Sequence, residues 1–229
     1  MKIKNEKKAL QAFCQNDDEL RPILNRPFFC EPTGEVRATD GRLLLMVDPK
    51  LLRRKYKSSD FGAWLPIPAP NSDTIVTLDD IEAVFNQFEL TPEMTYEEGE
   101  DGECPECDGT GCVQWKYFAQ NGRTYCLEED CPVCNGTGES DCNMVPTGKM
   151  LPPDNAMFVI DGVRFLASCI MKAVEGLRLL GCKELHHIST SKDSPNLFAV
   201  QDGIRLLVMP CPHGDGVTKV VRTIKKVEL

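Results

Sequence analysis

The chain has 229 residues, 41% of them apolar, enough to bury one large core or two smaller ones. Its opening, MKIKNEKKALQAF, is charged where a secretory signal would be apolar, and no stretch approaches the roughly 18 apolar residues that cross a bilayer. The expectation is a cytoplasmic protein with no membrane partner, and the net charge of −9 by itself argues against nucleic acid.

The distribution of charge changes that last inference. Twelve acids between Glu97 and Asp141 stand against Lys116 and Arg123 alone, a balance of −10 that leaves the rest of the chain at +1. Cysteine is just as uneven. Seven of the twelve crowd between Cys104 and Cys142, while Cys14, Cys30, Cys169, Cys182 and Cys211 are scattered through apolar segments and read as small core residues.

Along the chain, a short strand at Met1 to Lys4 and a helix near Glu6 to Cys14 precede a strand near Pro27 to Glu31. The segment VRATDGRLLLMV then reads as a hairpin turning at Asp40-Gly41, with positive φ expected at both turn residues. Lys50, Arg53, Arg54, Lys55 and Lys57 follow as a basic cluster, either a solvated face or a set of phosphate contacts. After the Pro66 to Pro70 stretch, Thr77 caps a helix whose apolar stripe is Leu78, Ile81, Val84, Phe85 and Phe88.

The middle of the chain carries a duplicated motif, CPECDGTG at Cys104 to Gly111 and CPVCNGTG at Cys131 to Gly138. Two Cys-x-x-Cys turns present four thiolates tetrahedrally, so Cys104, Cys107, Cys131 and Cys134 are the expected ligands of one structural Zn2+ per chain. Gly109, Gly111, Gly136 and Gly138 let backbone amides fold over the sulfurs and hydrogen-bond them. CxxCxGxG resembles the cysteine-rich repeats of DnaJ-type co-chaperones over residues 104 to 138, although that family's His-Pro-Asp motif is missing. No His lies in the segment to complete a second site, so Cys112, Cys126 and Cys142 stay outside this one. Between the motifs, Trp115, Tyr117, Phe118 and Tyr125 flank a hairpin turning at Asn121-Gly122. They form either a small core around the zinc or an exposed docking surface.

Beyond a second Pro-bounded stretch, Pro146 to Pro153, Val163, Leu166, Ile170, Val174 and Leu177 recur at helical spacing up to Gly181. Lys183 to Thr190 reads as a strand, and FAVQDGIRLLVM repeats the hairpin pattern with Asp202-Gly203 at its turn. Lys219, Arg222, Lys225 and Lys226 form a second basic cluster. Two halves of helix plus antiparallel strands predict an α+β fold with a pseudo-symmetric repeat: residues 1–95 and 155–229 are its two parts, and the zinc module at 100–142 is inserted between them.

MKIKNEKKALQAF, ELRPILNRPFF and the ATDGRLLL of Ala38 to Leu45 resemble the opening of a domain of the bacterial DNA sliding clamp, the beta subunit of DNA polymerase III. FVIDGVRFLASCIMKAVEGL from Phe158 and RLLVMP up to Pro210 resemble the close of its last domain. The resemblance covers about half of the chain and implies a role in DNA replication. A closed clamp ring needs six such domains, whereas this chain has room for one or a degenerate pair, so a ring would require a homo-oligomer.

His186, His187 and His213 read as structural, since neighbours in a strand point to opposite faces and the His186-His187 pair is poorly arranged to chelate one ion. No phosphate loop, nucleophile elbow or HExxH motif occurs. The expectation is therefore a non-enzymatic accessory protein of DNA replication or another DNA transaction. A protein partner meets the zinc module, and if DNA is bound the contacts are Arg53, Arg54, Lys55 and Lys57. The alternative is a chaperone-like or adaptor protein that grips polypeptide through the DnaJ-type module.

Overall fold

The computed structural model describes residues 3, 5–15, 18–61, 67–119, 122–211 and 216–225; the side chains of 96–101, 141–143 and 225 lie outside that description. Helix α1 (Glu6–Gln11) is followed by strands β1 (Phe28–Cys30), β2 (Glu35–Thr39), β3 (Leu43–Val47), β4 (Ser58–Ser59) and β5 (Thr74–Thr77), then helix α2 (Leu78–Phe85). Next come four strands, β6 (Thr91–Glu103), β7 (Cys112–Phe118), β8 (Thr124–Asp130) and β9 (Glu139–Leu151). The remainder is β10 (Met157–Ile160), β11 (Val163–Leu166), α3 (Ala167–Leu179), β12 (Glu184–Ser189), β13 (Asn196–Gln201), β14 (Ile204–Val208), β15 (Thr218–Val220) and β16 (Ile224–Lys225). This is a mixed α/β protein with few helices and many strands. It divides into two compact units, residues 1–90 with 152–229, and residues 91–151.

The first unit is organised by a sheet of order β16-β5-β12-β13-β14-β3-β2-β1-β4, antiparallel throughout except for β1 beside β4. Its interior strand β3, the run LLLMV, is buried at every position, as expected of an apolar run flanked by strands on both sides. Alternation splits that run between two clusters. Leu43, Leu45 and Val47 join the main core with α1, α2 and α3, while Leu44 and Met46 pack on the other face with Leu197 and Leu207.

The two Asp-Gly segments lie side by side, because β3 pairs with β14 and sets Leu45 opposite Leu206. Of the helices that precede them, α3 meets the turn that ends α1 at Gly176, where a β-carbon would stand 2.3 Å from Cε2 of the fully buried Phe13. Lys172 ties the same region together, donating from Nζ to Asp40 Oδ2 at 2.7 Å and to the Cys14 carbonyl at 2.9 Å. Helix α2 begins as its cap residue dictates, with Thr77 Oγ1 accepting from the Asp80 amide at 3.0 Å.

Several sequence expectations are corrected here. Positive φ is taken at Gly41 and Gly203 but not at Asp40 or Asp202. In the first turn Thr39 Oγ1 instead donates to the Leu43 carbonyl and accepts from the Gly41 amide, while Asp40 Oδ1 accepts from the amides of Arg42 and Leu43. The two-residue primed turn occurs elsewhere, at Asp161-Gly162, with φ of 50° and 75°. It makes β10 and β11 a hairpin, so Val163 and Leu166 are strand residues and α3 starts only at Ala167. Val163 and Phe165 alternate inward in β11, a period of two that the helical reading overlooked.

Helix α1 ends at Gln11 rather than Cys14. Of the strand expected at Met1 to Lys4, only Ile3 is among the described residues, and it lies outside any strand. Pro146 belongs to an edge segment, opposite Met94 in the β6–β9 ribbon.

Candidate metal centre

In the second unit, β6 pairs with β9 and β7 with β8, and the two Cys-Gly loops lie between these ribbons in sequence. Each loop turns sharply after its second cysteine through two consecutive left-handed residues, Asp108-Gly109 and Asn135-Gly136. The final glycine of each loop then donates to sulfur: Gly111 N–H to Cys107 Sγ at 3.2 Å, and Gly138 N–H to Cys134 Sγ at 3.3 Å.

The loops also brace one another through the backbone. Cys104 N–H donates to the Gly138 carbonyl at 2.9 Å, and Cys131 N–H donates to the Gly111 carbonyl at 2.8 Å. Thr110 Oγ1 and Thr137 Oγ1 donate to the carbonyls of Cys107 and Cys134, which fixes the peptide orientation at the second ligand of each pair.

The result is a buried cluster in which the four sulfurs of Cys104, Cys107, Cys131 and Cys134 lie within 4.8 Å of one another. Cys104 Sγ is 3.8 Å from Cys131 Sγ, and Cys107 Sγ is 3.8 Å from Cys134 Sγ. A tetrahedral ion with metal–sulfur bonds of about 2.3 Å separates its sulfurs by about 3.8 Å, so the spacing fits an ion of zinc's size. Val113 and Val133 pack against the cluster.

Burial raises the Cys104 thiol to about 11. Burial opposes ionisation at Cys134 too, but the Gly138 amide and the neighbouring thiols bring that group down to about 6. A metal takes cysteine as the thiolate, so an ion bound by these four groups would displace their protons.

Cys112 is half-buried and Cys126 exposed, both apart from this cluster, and the Cys142 side chain lies outside the described residues. Cys14, Cys30 and Cys182 are buried, whereas Cys169 and Cys211 are only partly so. Burial pushes Cys14 and Cys182 up to about 11, as suits protonated core groups.

Arg53, Arg54, Lys55 and Lys57 are all exposed. Their segment is anchored by the buried Glu6 carboxylate, which accepts from the amides of Arg53 and Arg54 at 2.7 and 3.0 Å and from the Tyr56 hydroxyl at 2.7 Å. This brings Arg53 and Arg54 to a shallow cleft of about 360 Å³ shared with Asn5, Glu6, Lys7 and Lys8. Lys7 and Lys8 are additions to the predicted set. Their signal was present in the run NEKK, but only the folded chain puts that run beside Arg53.

The small-core reading of the aromatics is corrected. Trp115, Tyr117, Phe118 and Tyr125 are 52% to 74% exposed, since nothing among the described residues covers the β7–β8 ribbon. Its turn residues Gln120 and Asn121 lie outside the described residues, and Gly122 has a φ of 77°.

His186 and His187 point to opposite faces: His186 meets Glu184 at the surface, and the fully buried His187 stacks on Phe198 with its Nε2 3.0 Å from Asn196 Oδ1. His213 lies outside the described residues. Ser72, Asp161 and His187 come together without forming a catalytic triad, because Ser72 Oγ donates to Asp161 Oδ2 and not to the imidazole. No helix among the described residues is long and apolar enough to cross a membrane.

The structural comparisons find bacterial sliding clamps. The DNA polymerase III beta subunit of Bartonella birtlesii is 12% identical, with a TM-score of 0.46 over 90% of this chain and 63% of that one. That of Borrelia burgdorferi is 10% identical, with a TM-score of 0.44 over 92% of this chain and 61% of that one. That of Pseudomonas aeruginosa is 14% identical, with a TM-score of 0.43 over 90% and 63%. The chain thus spans less than two thirds of the length of each. No family model and no curated protein sequence matches it.

Proposed function

We propose that this chain is a non-enzymatic, zinc-binding accessory protein with a clamp-like α+β fold that acts in DNA replication or another DNA transaction. The observation that carries this reading is the adjacency of β2–β3 and β13–β14, two hairpins from segments whose sequences resemble clamp domains, with α1 and α3 packed together beside them. On this reading residues 1–95 and 155–229 are the two parts of a pseudo-symmetric clamp-like domain, and 100–142 is a DnaJ-type zinc module inserted between them.

Charge supports a division of labour. Lys7, Lys8, Arg53 and Arg54 gather at one cleft, with Lys55 and Lys57 close by in sequence, and such a group can neutralise several phosphates of one backbone. The module has a surplus of acids, and a zinc held by four thiolates adds a further −2, so DNA is repelled there and a protein partner is preferred. Encirclement of DNA would need several copies of the chain in a homo-oligomer.

The test is duplex-DNA binding measured at several salt concentrations. Arg53→Glu with Arg54→Glu should weaken binding and flatten its salt dependence, whereas removing residues 100–142 should leave binding equal or stronger. Loss of binding on removal of the module would overturn the division of labour. A second reading, a chaperone-like or adaptor protein that grips polypeptide, is favoured by the exposed aromatic ribbon. It predicts capture of unfolded chains that the Arg53 and Arg54 reversals do not alter.

A further inference from the structure

The β7–β8 ribbon is sided. Register places Trp115 opposite Leu127 and Tyr117 opposite Tyr125, and directly opposed residues share a face. Both pairs lie on the same face, because Trp115 and Tyr117 are two residues apart, and Tyr117 and Tyr125 are stacked with centroids 6.5 Å apart. All four side chains are more than half exposed. The other face carries Gln114, Lys116, Cys126 and Glu128, with the exposed Phe118 opposite Thr124 at its far end, so the Trp115–Tyr117–Tyr125–Leu127 face is the larger unpartnered apolar surface of the ribbon. At its base Val113, on that same face, packs against the four-cysteine cluster, which anchors the ribbon to the metal centre.

Charge selects the occupant. The exposed Glu129, opposite Val113, shares the aromatic face, while Glu128 and Asp130 are exposed on the other face at the same end of the ribbon, all within a segment of net −10. A second copy would bring −10 against −10, and nucleic acid would bring phosphates to the same field. A cationic, apolar segment satisfies both features, since Lys and Arg are drawn to the faces of Trp and Tyr as well as to the acids beside them.

We infer that the Trp115–Tyr117–Tyr125–Leu127 face of the β7–β8 ribbon is the docking surface for a Lys/Arg-rich segment of a partner protein that also carries aliphatic or aromatic side chains. This rests on the reading that the module recruits a protein and names the face and the chemistry of that contact. The acids supply long-range attraction, and the aromatic pairs supply the buried contact that selects apolar basic segments over merely basic ones.

The test uses the full zinc-loaded chain and fluorescein-labelled synthetic peptides read by anisotropy. One peptide alternates Lys with Leu and Phe, a second has Ser for every apolar residue, and a third has Glu for every Lys. The first should bind, more weakly as salt rises, and the other two should bind at least about tenfold more weakly. Trp115→Ser with Tyr117→Ser changes no charge and should weaken the first peptide at least about tenfold at unchanged zinc content. If that variant loses zinc, Leu127→Lys serves instead, and should weaken the peptide in the same direction. Equal binding of the Lys/Ser peptide, or unchanged binding by a zinc-replete face variant, would overturn the inference. So would a dimer that these substitutions dissolve, or an oligonucleotide whose binding they abolish. Duplex binding at the Arg53 and Arg54 cleft is read on different residues, so its failure and the failure of this face are distinguishable.

Discussion

The carbonyl oxygen of Gly136 lies 2.5 Å from where a β-carbon on Gly111 would stand, and the Gly109 carbonyl bears the same relation to Gly138 at 2.4 Å. The two cysteine loops thus meet backbone to backbone, and the last glycine of each motif is required for that close approach as well as for its N–H to sulfur contact. Gly111→Ala or Gly138→Ala should force the loops apart and lower zinc affinity at least about tenfold, because each disrupts an amide that orients a ligand sulfur. Competition against a chromophoric chelator measures this. Gly122→Ala, with positive φ but open space around it, should leave the affinity unchanged.

The two Asp-Gly turns should respond unequally to alanine. At Gly41 the added β-carbon meets nothing closer than 3.7 Å, so the cost is the positive φ alone, about 1 kcal/mol. At Gly203 it would also stand 3.0 Å from Asp48 Cβ and 3.1 Å from Leu51 Cδ1, raising the cost to about 2 kcal/mol or more. Denaturant unfolding of the two variants checks the order.

Glu6 should make stability depend on pH. Burial favours its neutral form, but the amides of Arg53 and Arg54 and the Tyr56 hydroxyl outweigh burial and hold the carboxyl below its ordinary value of 4.5. A carboxylate depressed in the folded state contributes stability fully above its unfolded value, and that contribution is lost as pH falls through the folded value. Glu6→Gln should therefore destabilise by about 1–3 kcal/mol at neutral pH and flatten the acid limb of the stability curve below about pH 4.5. An unaltered acid limb in unfolding measurements would show that Glu6 contributes nothing to it.

What the sequence discloses here is mostly what is settled within a few residues. The two Cys-x-x-Cys turns and their glycines announce the four-thiol cluster, and Thr77 announces the start of α2, because caps and ligand pairs are local devices. Val163 and Leu166 fit both a helix spaced by three and a strand alternating with Phe165, and a two-residue turn at Asp161-Gly162 decided between them. The exposure of Trp115 and Tyr117 could not be read at all: the same alternation serves a covered or an open face, and the cover is a matter of tertiary contact. Lys7 and Lys8 joined the basic cleft for a similar reason, since Glu6 reaches nearly fifty residues along the chain to hold Arg53.

The claim on which the account depends is that Cys104, Cys107, Cys131 and Cys134 together hold one zinc ion. X-ray absorption at the zinc edge, combined with metal analysis of the purified chain, tests it directly. The predicted result is about one zinc per chain with four sulfur neighbours at about 2.3 Å, and a lowered zinc content in Cys107→Ser. Nitrogen or oxygen neighbours in place of sulfur, or full zinc retention by Cys107→Ser, would contradict it.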